Sequence, residues 1–224
     1  MFKNLLQFWK GKDFLSQVLE EFKDMLEDTQ NMFNSVCKRL IYNEQETELE
    51  DKIYSIDKKV NELERNIRKR IIEHLAIQPS VDLSTSLLLM SVVKDAERLG
   101  DYSKNLLQVS SLLQKPIDKN IYTGLFNNIE KEISELFQKT KEAFIESDED
   151  KATLSWHYET KIAKHCDETI EKLAKGNLSV NESVCFTLMA RYFKRITAHL
   201  TSIATSVILP LSDLDYFDEK RKPS

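Results

Sequence analysis

Apolar residues recur at helical spacing through stretches of about 25 to 30 residues, and almost nothing interrupts them. One stripe reads Ile53, Ile56, Val60, Leu63, Ile67 and Ile71. A second reads Leu88, Val92, Leu99, Leu106 and Leu113, and a third Met189, Tyr192, Phe193, Ile196, Leu200 and Ile203. Steps of three, four and seven keep each set on one face of a 3.6-residue helix. The 224 residues include only four Gly and four Pro, so there is little turn material. Such a pattern folds as long helices, each held by burying its stripe rather than by propensity. The expected fold class is all-α.

Breakers divide the chain into six helical segments. The first runs from about Asp13 to Tyr42 and the second from about Glu48 to Ile77, stopping at Gln78-Pro79. The third follows Ser80, with Asp82 or Ser84 as N-cap candidates, and ends before Lys115-Pro116. The fourth covers about Asp118 to Ile145, the fifth Lys151 to Lys175 and the sixth Val180 to Leu209, where Pro210 stops it. Short links imply antiparallel neighbours.

The second half echoes the first. Ile72-Glu73-His74-Leu75-Ala76 returns as Ile170-Glu171-Lys172-Leu173-Ala174, Ser80-Val81-Asp82 as Ser179-Val180-Asn181, and Arg98-Leu99 as Arg195-Ile196. The offsets are 97 to 99 residues. This predicts an internal duplication: two tandem three-helix bundles, residues 1–115 and 116–224, joined end to end or side by side. The first would carry a short N-terminal helix and the second an acidic tail.

Charge and composition narrow the function. A net charge of −5 and a pI near 5.5 argue against a nucleic-acid partner. No apolar run approaches the ~20 residues of a membrane span. Cys37, Cys166 and Cys185 are far apart and odd in number, which reads as reduced core thiols of a cytoplasmic protein. Phe2, Leu5, Phe8 and Trp9 stand among lysines at the N-terminus. They suit a short docked helix or contact with a membrane surface or membrane protein. The tail from Ser212 to Glu219 is acidic around Tyr216 and Phe217, and either packs on the bundle or reaches a partner.

Two acidic pairs form the site candidate. Glu97 and Asp101 lie at i and i+4 on the third segment, and Asp57 and Asn61 have the same spacing on the second. On antiparallel neighbours the two pairs could converge. Three carboxylates and an amide oxygen would suit Mg, Mn, Fe or Ca. The same residues, with Lys94, Arg98 and Lys104, also suit an ordinary ion-paired polar face. Gly100 costs about 1 kcal/mol within a helix, which suggests close packing or access there. No Glu stands three residues before His74, His157, His165 or His199, so the di-iron carboxylate signature is absent. No Gly-rich phosphate loop or Ser/His/Asp spacing appears either. A non-enzymatic protein is expected, with a metal-dependent helical-bundle enzyme as the remote alternative.

At these residues the chain resembles the PhoU family, whose members are built from two repeated three-helix bundles. Asp57-Lys58-Lys59-Val60-Asn61 resembles the motif of the family's second helix. Ala96-Glu97-Arg98-Leu99-Gly100-Asp101 resembles the third-helix motif, which reads close to LERIGD. The turn Gln78-Pro79 with Asp82-Leu83 also matches, and the resemblance spans about residues 13–210. It implies metal ligands at Asp57, Asn61, Glu97 and Asp101, the ion (Fe, Mn, Mg, Zn or Ni) not being distinguishable. It implies a cytoplasmic regulator of phosphate uptake and signalling that contacts a phosphate transporter subunit and a sensor histidine kinase. Such a protein could work at the inner face of the membrane, as a monomer or homodimer. A metal-free scaffold, or an accessory protein of a different membrane carrier, is the competing expectation. In the second repeat Lys194 stands for the glutamate and Ala198 for the aspartate, and Glu159 either pairs with Ala163 or replaces Asn61. The resemblance thus implies that a second metal site is lost or reduced to a remnant.

Overall fold

Among the described residues seven helices follow from the stripes, one more than the breakers predict. The structure, a computed structural model, describes residues 13–44, 47–78 and 83–216. The N-terminal Phe2–Trp9 segment, the Pro79–Asp82 turn and residues 217–224 lie outside the described residues. The helices are α1 (Asp13–Tyr42), α2 (Leu49–Ile77), α3 (Leu83–Leu112), α4 (Lys119–Phe126), α5 (Ile129–Glu146), α6 (Glu149–Lys175) and α7 (Val180–Thr205). A 3-10 turn, Leu211–Tyr216, follows. No strand occurs among the described residues.

The expected fourth segment is broken in two. Asn127 and Asn128 both take left-handed backbone, with φ of 49° and 57°. Asn tolerates that region better than most residues. A distant helix stabilises the break: His165 Nε2 and Thr169 Oγ1 of α6 donate to the Leu125 carbonyl at 2.8 and 2.9 Å. That carbonyl lies in the last turn of α4, where intrahelical donors run out. The last helix also ends early, at Thr205 rather than Leu209. Its chain closes with Ile208 N donating to Thr205 O at 3.0 Å, a tighter turn.

Three of the described helix starts, those of α4, α6 and α7, are capped by side chains. Asp118 accepts from Asn120 N and Ile121 N, and Asp148 from Lys151 N. Ser179 and Glu182 form a reciprocal capping box at the start of α7.

α1, α2 and α3 pack against one another, as do α5, α6 and α7. The two bundles then join side by side, through α3 against α7 and α1 against α5. α3 and α7 run antiparallel: Asn181 Nδ2 donates to Leu112 O, while His199 and Ser202 reach Asp95. These inner helices need a wider buried arc than one stripe provides. α3 adds Ala96, Gly100 and Ser103, and α7 adds Thr197, Ser202 and Thr205. Gly100 lies against Thr29 and Met32 of α1 and Asp57 of α2, so part of that arc faces the first bundle's own helices. α2 and α6 lie outside and keep charged outer faces. Phe33, Phe137, Phe193, Phe126 and Phe186 form an aromatic cluster between the bundles. All three cysteines are buried and unbridged. In the acidic tail Leu214 is buried, and the 3-10 turn packs on α3 and α7.

Candidate functional site

α2 and α3 place the predicted residues along one seam, at two levels rather than one. Asp57 is buried on α2. Its Oδ2 is 2.9 Å from Lys104 Nζ, and Asp101 Oδ1 is 3.2 Å from the same ammonium. Asn61 Nδ2 donates to Asp57 Oδ2 at 3.3 Å. These three residues and Lys104 form the first level.

Glu97 lies elsewhere. Because the helices are antiparallel, moving back four residues from Asp101 moves forward along α2, past Asn61 to Glu64. Glu97 Oε2 accepts from Lys94 Nζ at 2.7 Å, and the same ammonium is 3.9 Å from Glu64 Oε1. Arg68 Nη2 closes that end at 3.1 Å from Glu64. Arg98 links the levels, with Nη1 at 2.8 Å from Asp101 and Nε at 3.8 Å from Glu97. The expected convergence of Asp57, Asn61, Glu97 and Asp101 therefore holds for three of the four.

The whole is a ladder of four carboxylates, Asp57, Asp101, Glu97 and Glu64, interleaved with four cations, Lys104, Arg98, Lys94 and Arg68. A cation site needs uncompensated negative charge facing a shared point. Here each carboxylate already faces a cation, and Asn61 turns its amide N–H toward Asp57. The donors do not fit a metal ion in this arrangement. Among the described residues no group of three or more His, Cys, Asp or Glu gathers as metal ligands.

Gly100 is buried against Thr29 and Met32 of α1 and Asp57 of α2. A Cβ added there would meet those atoms at 3.6 to 3.8 Å, ordinary van der Waals distances. Packing alone therefore does not require glycine. Gly100→Ala is expected to raise stability by about 0.5–1 kcal/mol, by removing the helix-interior glycine penalty. A lower urea midpoint for G100A would show that the seam has no room for the methyl group.

In the second repeat the positions of Asp57 and Lys104 are held by uncharged Ser155 and Thr201. Thr201 Oγ1 donates to Ser155 O at 3.4 Å, at the level where Lys104 meets Asp57. Ser155 stands at the offset of 98 from Asp57, so Glu159 takes the place of Asn61. Lys194 pairs with Asp167 at 2.6 and 2.7 Å.

Sequence reasoning missed two polar clusters, one part-buried and one buried. His199 Nδ1 donates to Asp95 Oδ1 at 2.8 Å and Ser202 Oγ to Asp95 Oδ2 at 2.9 Å, while Tyr102 stacks on the His199 ring. This cluster joins the two bundles. Glu130 is buried and accepts from Tyr42 and Tyr122, both at 2.6 Å. It borders an open groove of about 450 Å³ lined by Asn34, Cys37, Lys38, Glu44, Lys131 and Ser134. Burial pushes the thiols up, Cys37 well above its usual range and Cys166 to about 12, which removes them as nucleophiles.

Comparison with known proteins gives one family. Residues 22–109 match the PhoU domain. The chain is 22% identical over 204 residues to the phosphate-specific transport system accessory protein PhoU homolog 1 of Thermotoga maritima, covering 85% of this chain and 79% of that protein. PhoU from Pseudomonas aeruginosa superposes with a TM-score of 0.74 at 22% identity, covering 87% of this chain and 95% of that one. The phosphate transport system regulatory protein PhoU from Streptococcus pneumoniae superposes with a TM-score of 0.71 at 17% identity, covering 91% and 97%. The chain thus carries a PhoU domain over residues 22–109 and shares the fold of PhoU structures across both repeats.

Proposed function

We propose that this chain is a non-enzymatic accessory protein that negatively regulates phosphate uptake and signalling by binding a phosphate transporter subunit, its sensor histidine kinase, or both. The observation that carries this reading is the match to the Thermotoga accessory protein over most of both chains. The interior supports it. The thiols are buried, His165 is committed to closing a helix end, and the carboxylates of the α2–α3 seam are ion-paired. No helix among the described residues is long and apolar enough to cross a membrane. The proposed place of action is therefore cytoplasmic, at the inner face of the membrane, through contact with a membrane protein. We take 1–115 and 116–224 as the two repeats, and a homodimer as compatible with the charged outer helices.

One observation favours a second reading. The second repeat has Lys194 and an uncharged Ser155–Thr201 contact where the first repeat carries its acidic motifs. A repeat altered this far suits an accessory protein moved to a different membrane carrier.

The test is a tagged pull-down from detergent-solubilised cells grown in high and low phosphate. Recovery of a phosphate transporter subunit or sensor kinase that changes with phosphate is the expected result. Recovery of another carrier instead would establish the second reading. Recovery of no membrane protein in either condition would overturn both.

A further inference from the structure

We infer that Lys104 is a built-in cation that takes the position between Asp57 and Asp101, so that the first repeat is charge-balanced without a metal ion. Lys104 Nζ is within hydrogen-bonding distance of both carboxylates, at 2.9 and 3.2 Å. Its side chain is only 20% exposed, so the ammonium is held in the seam rather than reaching into solvent. Asp57 is the more buried partner, at 13%, and a buried carboxylate without a counter-charge is strongly unfavourable. Burial works against the ammonium charge, but hydrogen bonds to Asp57 and Asp101 outweigh it and hold Lys104 above its usual range.

The rest of the ladder removes the remaining negative charge. Arg98 takes the other oxygen of Asp101, and Lys94 takes Glu97. A divalent ion entering here would have to displace an ammonium that already has two carboxylate partners. The second repeat reaches neutrality by another route, replacing the pair with hydroxyl and carbonyl groups at Thr201 and Ser155. Both repeats would thus have exchanged ion binding for an intramolecular solution, one with a lysine and one without charge.

The inference is tested with Mn²⁺ or Ca²⁺ as the probe. Lys104→Met keeps the apolar stem and leaves Asp57 and Asp101 facing each other. This variant should melt below the parent protein in chelator. Millimolar Mn²⁺ should then raise its Tm by about 3 °C or more, through binding to the folded state alone. The parent should shift by less than about 1 °C under the same conditions. A double variant, Lys104→Met with Asp101→Asn, should lose the response. An equal response in the parent, or none in K104M, would overturn the proposal. Mn²⁺ titration of the parent by electron paramagnetic resonance is independent of whether K104M folds. Parent and Asp101→Asn should bind the same number of ions. Loss of one bound Mn²⁺ on D101N would show that the carboxylates hold metal with Lys104 in place, and would equally overturn it.

Discussion

Phe193→Ala should destabilise the protein by about 3–5 kcal/mol, the usual cost of emptying a buried phenylalanine site. Phe193 is fully buried on α7. Its ring is 6.1 Å from Phe33 of α1 and 5.8 Å from Phe126 of α4, both edge-on. Phe33 continues the cluster to Phe137 at 5.5 Å, and Phe126 to Phe186 at 6.0 Å. Removing the ring therefore costs apolar burial, aromatic pairing and a cavity that four helices would have to collapse to fill. Domains of this kind have about 5–15 kcal/mol in total, so the loss is a large share. Because the cluster bridges the bundles, unfolding should remain one transition. Circular dichroism and tryptophan fluorescence should report the same lowered urea midpoint. The neighbouring Lys194→Ala removes only a half-exposed pair with Asp167, and should change stability by less than about 1 kcal/mol. A loss for F193A as small as that of K194A would mean that the aromatic cluster does not join the halves.

How far the sequence could be read follows from which residues carry hydropathy. The stripes of α2, α3 and α7 were plain, because Ile53, Val60, Leu99, Phe193 and Leu200 are large and fully buried. The wider burial of α3 and α7 was not, because the extra buried arc consists of Ala96, Gly100, Ser103, Ser202 and Thr205. Hydropathy treats such residues as neutral, and only their size matters. The break between α4 and α5 was hidden for a related reason. It uses Asn127 and Asn128 instead of Gly or Pro, and its fixing residues, His165 and Thr169, come from another helix. At the seam, spacing correctly joined Asp57, Asn61 and Asp101 but placed Glu97 with them. The antiparallel register sends Glu97 toward Glu64 and Lys94 instead. Lys104 stands three residues after Asp101, so a cation on that face was visible. What sequence could not supply was the reach to Asp57 across the helix pair. Asp95 has no signal in its own helix, because its partners His199 and Ser202 come from α7.

Glu130 should be the most sensitive polar position of the fold. It is 4% exposed, and its two oxygens each accept a short bond from a tyrosine, Tyr42 of α1 and Tyr122 of α4. It thereby ties the end of the first helix to the start of the second bundle. Glu130→Ala leaves the Tyr122 hydroxyl buried without that partner and is expected to cost about 2–4 kcal/mol. Tyr122→Phe should cost less than E130A, because Glu130 keeps its bond from Tyr42. The same cluster predicts an alkaline limit. Burial, then the hydrogen bond to Glu130 and that carboxylate's charge, push Tyr42 from 10.0 up to about 12. Burial first, then Glu130, drives Tyr122 well above its ordinary value as well. A raised phenol favours the protonated form in the folded state, so its contribution is complete below pH 10 and fades as pH rises toward about 12. The stability difference between the parent and Tyr42→Phe, measured by urea unfolding, should therefore be constant below pH 10 and shrink above it. A difference that stays flat to pH 12, or an E130A variant within about 0.5 kcal/mol of the parent, would show that the two phenols do not depend on this carboxylate.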